Sequence, residues 1–169
     1  MSDVEVLLNF DCDLFISDVD GVLTDGRLYY GEKGELFKVF NARDGLGLVR
    51  ARERGLKTAL VTGRKSKITE IRARELGINF VYQGIEDKAR TVRGICYETG
   101  IDPARAAYLG DDLNDLPALN IVGLPLAVQD AVEEVQKSAS YITRRPGGSG
   151  AVREVLDYLI SPGKEEKNV

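Results

Sequence analysis

Histidine is absent from the sequence, and cysteine occurs only twice. Without histidine the chain cannot form a Ser-His-Asp or Cys-His nucleophile pair, and it cannot build a histidine-bound metal site. Cys12 and Cys96 form neither a disulfide framework nor a metal-ligand spacing, so we expect a reducing cytoplasm as the location. Carboxylates, lysines and hydroxyl groups are therefore the side chains available for any catalytic chemistry.

Long apolar runs and a surplus of basic residues are also absent. No stretch approaches the ~18 consecutive apolar residues that a membrane span requires, so we expect no membrane partner. The net charge of -4 disfavours nucleic acid as a partner, because proteins that bind the phosphate backbone usually carry a basic face. A chain of 169 residues can build one hydrophobic core, and we predict a single domain over residues 1–169.

Short apolar runs rich in β-branched residues alternate with longer amphipathic stretches, a pattern typical of repeated β-α units. The predicted strands are Leu14–Ser17, Thr58–Thr62, Phe80–Gln83, Ala106–Gly110, Leu124–Val128 and Tyr141–Thr143. The predicted helices are Gly45–Arg54, Lys67–Leu76, Asp87–Glu98, Asn114–Leu119, Ala131–Lys137 and Gly150–Leu159. This order predicts a Rossmann-like α/β fold, with a mostly parallel sheet and helices on both faces. In such sheets, ligands bind beyond the carboxyl ends of the strands.

One segment departs from the β-α alternation. Residues 27–40 contain two extended runs joined by GEKGE, which predicts a β-hairpin that projects from the loop after the first strand. The last residues, 161–169, are polar and charged, and we expect this tail to be frayed.

Polar side chains cluster where four of the predicted strands end. They are Asp18 and Asp20 after the first strand, Thr62 at the end of the second, Lys88 after the third, and Asp111, Asp112 and Asp115 after the fourth. Carboxylates brought together at one sheet edge repel, and a hard oxygen-seeking cation such as Mg²⁺ is the usual remedy. Because Mg²⁺ usually binds carboxylates, waters and a phosphate oxygen together, we expect Mg²⁺ as cofactor and a phosphorylated substrate.

The same residues provide the parts of a phosphoryl-transfer site. With no histidine available, a carboxylate is the strong candidate for covalent catalysis, and Asp18 is best placed to attack phosphorus. Asp20 could protonate the leaving alcohol and then deprotonate the water that hydrolyses the acyl-phosphate. Thr62 offers a hydroxyl and a backbone N–H to a phosphoryl oxygen, while Lys88 offers a positive charge that offsets the phosphate and Asp18.

Four motifs, in this order, resemble the signatures of haloacid-dehalogenase-type phosphatases: DVDGV at 18–22, VTGR at 61–64, Lys88, and GDDLND at 110–115. The resemblance implies that Asp18 is the nucleophile and that Asp20 is the acid/base, with its backbone carbonyl on Mg²⁺. It also implies that Asp111 binds the metal with Asp18, and that the supporting residues are Asp112 and Asp115. By the same resemblance, Thr62 and Lys88 contact the phosphate.

Over nearly the whole chain after about residue 12, the sequence is similar to the cap-less 3-deoxy-D-manno-octulosonate 8-phosphate phosphatases. The motifs that carry this resemblance are DVDGVLTDG, KVFNARDGLGL, TGRKSK, GDDLND and GGSGAVREV. The intervals between Asp20, Thr62 and Lys88 leave no room for a cap domain, so we expect a neighbouring subunit to close the site. The resemblance implies phosphate release from an acidic keto-sugar phosphate, in lipopolysaccharide inner-core synthesis.

Members of this branch are homotetramers, in which hairpins form a central barrel and a glycine-rich segment closes a neighbour's site. The resemblance gives these parts to the hairpin at 27–40 and to residues 144–154, and it implies that Gly147 and Gly148 contact substrate. Arg64 suits a substrate carboxylate through bidentate hydrogen bonds. Arg72, about two helical turns further on, matches another arginine used for substrate contact.

Three other functions remain open from the sequence. A sister branch acts on nonulosonate 9-phosphates of the sialic acid type, although there an acidic residue tends to follow TG, where this chain has Arg64. A response-regulator-like receiver also presents an acidic pocket, a threonine and a lysine at strand ends, but its phosphoacceptor lies on the third strand. A non-catalytic scaffold would use the fold only for assembly, yet an unused acidic cluster is costly.

Overall fold

The computed structural model describes residues 3–161, and a parallel sheet lies at its centre. The strands of the described part are β1 Leu14–Ser17, β2 Tyr29–Gly31, β3 Gly34–Phe37, β4 Lys57–Thr62, β5 Phe80–Gln83, β6 Ala106–Gly110, β7 Leu124–Ala127 and β8 Tyr141–Ile142. Six of them form one sheet in the order β5-β4-β1-β6-β7-β8, and every neighbouring pair in it is parallel. The predicted α/β class with a mostly parallel sheet is confirmed.

The helices form two groups that pack on the sheet. They are α1 Asp3–Asn9, α2 Ala42–Glu53, α3 Lys67–Leu76, α4 Lys88–Thr99, α5 Leu116–Leu119, α6 Glu133–Ser138 and α7 Ala151–Leu159. In one group α2 contacts α3 and α7, and α1 contacts α7; in the other, α5 contacts both α4 and α6. Within residues 3–161, no helix has the length and apolar character needed to cross a membrane.

The central strands are buried along their whole length, which explains their continuous apolar runs. All residues of β1 and β6 are buried, and β4 is exposed only at Lys57. A strand covered by helices on both faces has no solvent side, so the sequence need not alternate between apolar and polar residues. Because these three strands are parallel neighbours, their carboxyl ends meet at one edge of the sheet.

The predicted elements differ from the structure mainly at their ends. No predicted helix corresponds to α1, a seven-residue helix that packs on α7 and depends on that tertiary contact more than on its own propensity. α2 begins at Ala42, earlier than predicted, because the Asn41 side chain accepts a hydrogen bond from the N–H of Arg43 and caps the helix. The predicted helix Asn114–Leu119 is divided into a 3-10 turn, Leu113–Asp115, and α5.

The predicted hairpin is present as a separate sheet of β2 and β3. The ring of Tyr29 stacks on that of Phe37, with centroids 4.4 Å apart. The pairing register shifts between Tyr29 and Tyr30, which marks a β-bulge on the facing strand. Exposed apolar side chains lie along the hairpin and its flanks, namely Leu28, Tyr30, Leu36, Phe37 and Val39. The predicted frayed tail, apart from Ser161, lies outside the described residues.

Asp44 joins α2 to α7 inside the protein. Its buried carboxylate accepts hydrogen bonds from the backbone N–H of Gly150, at 3.1 Å, and from that of Arg153, at 2.8 Å. These N–H groups belong to the start of α7, where the capping residue is a glycine with no side chain to accept them. Asp44 therefore supplies, from another helix, the cap that α7 lacks.

Replacing Asp44 should destabilise the fold without touching the cleft residues. We expect Asp44→Ala to lower the free energy of unfolding by about 1–3 kcal/mol, because it leaves two buried N–H groups without an acceptor. Urea denaturation measures this difference. Glu53→Ala, an exposed position on the same helix, is the matched control and should change the value by less than about 0.5 kcal/mol. Equal effects from the two substitutions would contradict this role for Asp44.

Candidate active site

Residues from the carboxyl ends of β1, β4 and β6 surround a cleft of about 240 Å³. Its lining consists of Asp18, Asp20, Gly26, Leu28, Thr62, Arg64, Asp111, Asp112 and Asn114. Two more of the predicted site residues, Lys88 and Asp115, are buried beneath the cleft lining. Lys88 forms hydrogen bonds with both Asp115 and Asp18. The structure thus brings together eight of the residues that the sequence places at the site.

A buried lysine links Asp18 to a second carboxylate. Nζ of Lys88 donates to Oδ2 of Asp18 at 2.8 Å and to Oδ1 of Asp115 at 2.6 Å. Burial alone would lower the pKa of Lys88, but the two carboxylates raise it, so the ammonium group stays charged. The backbone N–H of Val19 donates to Oδ1 of Asp18 at 2.6 Å, which fixes the orientation of this carboxylate at the end of β1.

Asp115 organises the loop after β6 through four hydrogen bonds. Its Oδ1 accepts from Lys88 and from the hydroxyl of Tyr108, each at 2.6 Å. Its Oδ2 accepts from the backbone N–H of Asp111 at 2.9 Å and from that of Asp112 at 3.2 Å. Burial, together with Asp115, raises the pKa of Tyr108 well above its usual range, so the hydroxyl keeps its proton and donates it. Both oxygens of Asp115 are therefore committed to protein donors.

Asp18 and Asp111 together carry more negative charge than the protein offsets. Burial, followed by repulsion from Asp18 and Asp115, raises the pKa of Asp111 to about 8. Burial and Asp115 also raise the pKa of Asp18 to about 6, against the opposing effect of Lys88. Oδ1 of Asp111 is buried and has no hydrogen-bond partner among residues 3–161. Single carboxylate oxygens of Asp18, Asp111 and Asp115 lie within 4.8 Å of one another, a spacing that a bound cation can bridge.

Gly21 allows the loop after β1, which carries Asp18 and Asp20, to approach the loop after β6, which carries Asp111. Its φ angle of +89° lies in the left-handed region that favours glycine. A Cβ atom at this position would lie 1.9 Å from Oδ2 of Asp111, so a side chain here would displace the carboxylate. The glycine that follows Asp20 in the DVDG motif is thus required by the approach of the loop after β6.

Asp20 lies on the same loop as Asp18 but has different neighbours. Its Oδ1 accepts a hydrogen bond from Nζ of Lys38, at the end of the hairpin, and its Oδ2 lies 3.7 Å from Nε of Arg64. Nζ of Lys38 also lies 3.2 Å from Oε1 of Glu35. Lys38 and Glu35 could not be identified from the sequence, because a hairpin pattern does not show which polar side chains turn toward the loop after β1.

The two arginines predicted to bind substrate lie in different places. Arg64 lines the cleft, and its Nη2 donates to the hydroxyl of Tyr30 at 2.6 Å. Arg72 is not among the residues that line the cleft. Its Nη1 pairs with Glu75 at 2.9 Å, and its guanidinium group lies 5.9 Å from the ring centroid of Phe40. Of these two side chains, the structure therefore brings only Arg64 to the cleft of its own chain.

Gly147 and Gly148 pack against the loop after β1 of their own chain and are not among the residues that line the cleft. The N–H of Gly148 donates to the carbonyl oxygen of Val22 at 2.8 Å, and the N–H of Gly147 donates to Asp130 at 2.8 Å. A Cβ atom on Gly147 would lie 1.8 Å from the carbonyl oxygen of Gly21, so the two backbones are in direct contact. In this structure the pair supports the loop that carries Asp20.

Thr62 and Asn114 complete the cleft. Oγ1 of Thr62, at the end of β4, accepts a hydrogen bond from the N–H of Arg64 at 3.3 Å. Asn114 lines the cleft beside Asp111 and Asp112, although the sequence analysis assigns it no role. It stands inside the GDDLND motif, and that motif was the signal by which it could have been found.

Comparison with known proteins adds independent information. Residues 80–156 match the model of a family described as haloacid dehalogenase-like hydrolase. The chain is 46% identical over 147 residues to 3-deoxy-D-manno-octulosonate 8-phosphate phosphatase KdsC of Escherichia coli strain K12. That match covers 87% of this chain and 78% of the relative.

Solved structures agree with the sequence comparison. One is the 3-deoxy-D-manno-octulosonate 8-phosphate phosphatase of Moraxella catarrhalis, crystallised with magnesium ion, phosphate ion and KDO. It is 38% identical to this chain with a TM-score of 0.89, and the match covers 94% of this chain and 91% of that one. The cobalt-bound phosphatase of Haemophilus influenzae is 35% identical, with a TM-score of 0.87 and coverage of 94% and 90%. This chain belongs to the family of 3-deoxy-D-manno-octulosonate 8-phosphate phosphatases, within the haloacid dehalogenase-like hydrolases.

Proposed function

We propose that this chain hydrolyses 3-deoxy-D-manno-octulosonate 8-phosphate to 3-deoxy-D-manno-octulosonate and inorganic phosphate, with Mg²⁺ as cofactor. The observation that carries the proposal is the buried Lys88, which bridges Asp18 and Asp115 next to the unpaired oxygen of Asp111. This arrangement suits phosphoryl transfer through an aspartyl-phosphate, which needs an ionised nucleophile beside a cation site. The names of the relatives, and the ligands of the Moraxella structure, support the choice of substrate.

Asp18 and Asp111 would hold Mg²⁺ through their carboxylates, and Asp20 through its backbone carbonyl. The donor set fits, because the unpaired Oδ1 of Asp111 needs a positive partner, whereas each oxygen of Asp115 already accepts two hydrogen bonds. Asp115, with Asp112 beside it, supports the site by holding the loop after β6. Bound Mg²⁺ supplies positive charge that offsets the anionic phosphoryl group and the neighbouring carboxylates.

In the first step, the Asp18 carboxylate attacks phosphorus, and the bond between phosphorus and the sugar oxygen breaks. Asp20, in its carboxylic acid form, gives its proton to the leaving oxygen, so the sugar departs as an alcohol. Lys88 holds Asp18 in place at 2.8 Å and offsets the charge on the phosphoryl group. Thr62 donates its hydroxyl to a phosphoryl oxygen.

In the second step, water attacks the phosphorus of the aspartyl-phosphate, and the bond to the Asp18 oxygen breaks. Asp20, now a carboxylate, takes the proton from this water, which restores the acid form for the next cycle. Inorganic phosphate leaves and Asp18 returns to its carboxylate form. Each aspartate therefore keeps one role through the cycle: Asp18 is the nucleophile, and Asp20 carries the proton.

Arg64 is the side chain that we assign to the substrate carboxylate. It lines the cleft, and its side chain is 36% exposed, so part of the guanidinium surface faces solvent. A guanidinium group is always charged in a protein, and the hydrogen bond of Arg64 to the hydroxyl of Tyr30 raises its pKa further. A guanidinium group binds a carboxylate with two parallel hydrogen bonds, which suits an acidic sugar.

We also propose that the protein assembles as a homotetramer through the hairpin at 27–40. Leu36 is 61% exposed and Tyr30 is 57% exposed, on a hairpin that forms a sheet of its own. Several large apolar side chains exposed on one hairpin are typical of an interaction surface. Two cysteines are too few for a disulfide framework, which fits a reducing compartment, and we propose that this compartment is the cytoplasm.

Phosphate release from a panel of esters tests the proposed activity. We expect Mg²⁺-dependent hydrolysis of 3-deoxy-D-manno-octulosonate 8-phosphate, well above that of a nonulosonate 9-phosphate or of simple sugar phosphates. Simple sugar phosphates have no carboxylate for Arg64 to bind, and the nonulosonate branch tends to have an acidic residue where this chain has Arg64. Asp18→Asn should abolish turnover while circular dichroism shows an unchanged fold. Preference for the nonulosonate would overturn the substrate, whereas activity retained in Asp18→Asn would overturn the mechanism.

Mg²⁺ should stabilise the folded protein more at pH 8 than at pH 6. Burial raises the pKa of Asp111 to about 8, far above its value of about 3.9 in the unfolded chain. As the pH rises from about 4 to about 8, Asp111 ionises in the unfolded chain while it still holds its proton in the folded chain, so the free energy of unfolding falls over this range. Because Mg²⁺ binds the ionised carboxylate, protons compete with it at pH 6 and much less at pH 8.

The measurement is the shift in the midpoint of thermal unfolding when Mg²⁺ is added at each pH. Asp111→Asn is the control, and it should lose most of the shift at both pH values because it removes a metal ligand. An equal or larger shift at pH 6 in the unchanged protein would contradict this account of Asp111.

Disruption of the hairpin surface should change the mass in solution. We expect the unchanged protein to sediment as a tetramer and Leu36→Glu to sediment as a smaller species, because the substitution places a charge inside an apolar contact. Tyr97→Glu is the control, since Tyr97 is 92% exposed and lies on α4. A monomeric unchanged protein would rule out the tetramer.

A further inference from the structure

Lys38 is a buried lysine that the phosphatase motifs do not include. Its side chain is only 2% exposed, although it lies at the base of a projecting hairpin. Nζ donates a hydrogen bond to Oδ1 of Asp20 and lies 3.2 Å from Oε1 of Glu35. A buried ammonium group is retained only where anionic partners offset the loss of water, and here one of the two partners is the proposed proton carrier.

A β-bulge in the hairpin places Glu35 and Lys38 together. Tyr30 pairs with Glu35 and Tyr29 pairs with Phe37, so Leu36 is an extra residue on β3. In a regular strand, residues three apart point to opposite faces. The extra residue reverses this alternation, so that Glu35 and Lys38 turn to the same side, toward the catalytic loop.

The other end of this network is attached to the loop after β4. The second oxygen of Glu35, Oε2, accepts a hydrogen bond from Oγ of Ser66, the residue that caps α3. Hydrogen bonds from Ser66 and Lys38 lower the pKa of Glu35 against the effect of burial, so this carboxylate stays ionised. Arg64 also joins hairpin and loop through the hydroxyl of Tyr30. Lys38 therefore lies between two carboxylates, that of Asp20 on one side and that of Glu35, which is attached to Ser66, on the other.

The two oxygens of Asp20 are made unequal by these contacts. Oδ1 faces Lys38, and an ammonium group can only donate hydrogen bonds. An oxygen that already accepts from an ammonium group does not also carry the acidic proton. Oδ2 lies 3.7 Å from Nε of Arg64, which is beyond hydrogen-bond distance, and it is buried with no hydrogen-bond partner in the described part of the chain. The proton of the acid form therefore belongs on Oδ2.

We infer that Lys38 is a positioning residue that fixes the Asp20 carboxyl group, so that Oδ2 alone exchanges the proton. This inference rests on the proposed function, because it assigns Lys38 to the step in which Asp20 protonates the leaving sugar oxygen. In the first step the proton moves from Oδ2 to that oxygen, and in the second step the same Oδ2 receives a proton from water. Lys38 acts through Asp20, and we assign it no contact with the substrate or the phosphate.

If Lys38 positions Asp20, the loss of rate in a Lys38 variant should depend on whether the leaving group needs a proton. A variant that only distorted the site would lose rate with every leaving group. A sugar alkoxide must be protonated as it departs, whereas a nitrophenolate leaves without a proton. In Lys38→Met, release of the sugar in the first turnover should fall by roughly 10²-fold, at the low end of what general acid catalysis contributes. First-turnover release of nitrophenolate from 4-nitrophenyl phosphate should change by less than about threefold, because this step does not use the Asp20 proton.

Rapid-quench measurements with enzyme in excess over each ester give these two rates. Lys38→Arg keeps a charged donor and should recover much of the sugar rate. Lys33→Met, at the exposed turn of the same hairpin, is the matched control and should leave both rates unchanged.

The outcomes separate this inference from the proposed function. Equal losses with both esters in Lys38→Met would overturn the positioning role and indicate that Lys38 only supports the site. Unchanged rates with both esters would overturn any role of Lys38 in the reaction. An unchanged protein that releases nothing from either ester would overturn the proposed function, and the inference with it.

Discussion

Carboxylates crowded at one sheet edge are the constraint on which the rest of this structure depends. Asp18, Asp111 and Asp115 have oxygens within 4.8 Å of one another at the carboxyl ends of buried strands, where little water can screen their repulsion. Asp115 receives four donors, and Lys88 divides its charge between Asp115 and Asp18. Asp111 keeps an unpaired oxygen. The protein thus satisfies part of the cluster itself and leaves the remaining charge for a cation.

The sheet makes this arrangement possible without long loops. β1 lies between β4 and β6, so the residues that follow these three strands are neighbours in space although at least 45 positions separate the ends of any two of these strands in sequence. Lys88 reaches Asp18 from the start of α4, at a sequence separation of 70. Because the central strands are parallel, all of these groups lie at the edge of the sheet formed by the carboxyl ends of the strands.

Much of the fold and site could be predicted because both follow from local pattern. Buried strands read as apolar runs, and parallel topology brings their carboxyl ends together, so Asp18, Thr62 and Asp111 could be located before any coordinates. Residues with roles set by tertiary contact could not be located in this way. Tyr108 reads as an ordinary strand residue, and only its packing reveals the hydroxyl that holds Asp115. The direction of Lys38 depends on a bulge, which shifts register without leaving a sequence signal.

The two aspartates to which we assign the catalytic roles are only two residues apart, yet each is held by its own lysine from a different part of the fold. Asp18 is held by Lys88, which is anchored in the core through Asp115 and Tyr108. Asp20 is held by Lys38, which belongs to a hairpin outside the main sheet. The proposed nucleophile is therefore fixed by contacts within the core. The proposed proton carrier depends on the hairpin, so on this assignment a disturbance of the hairpin would affect proton transfer before it affects the attack on phosphorus.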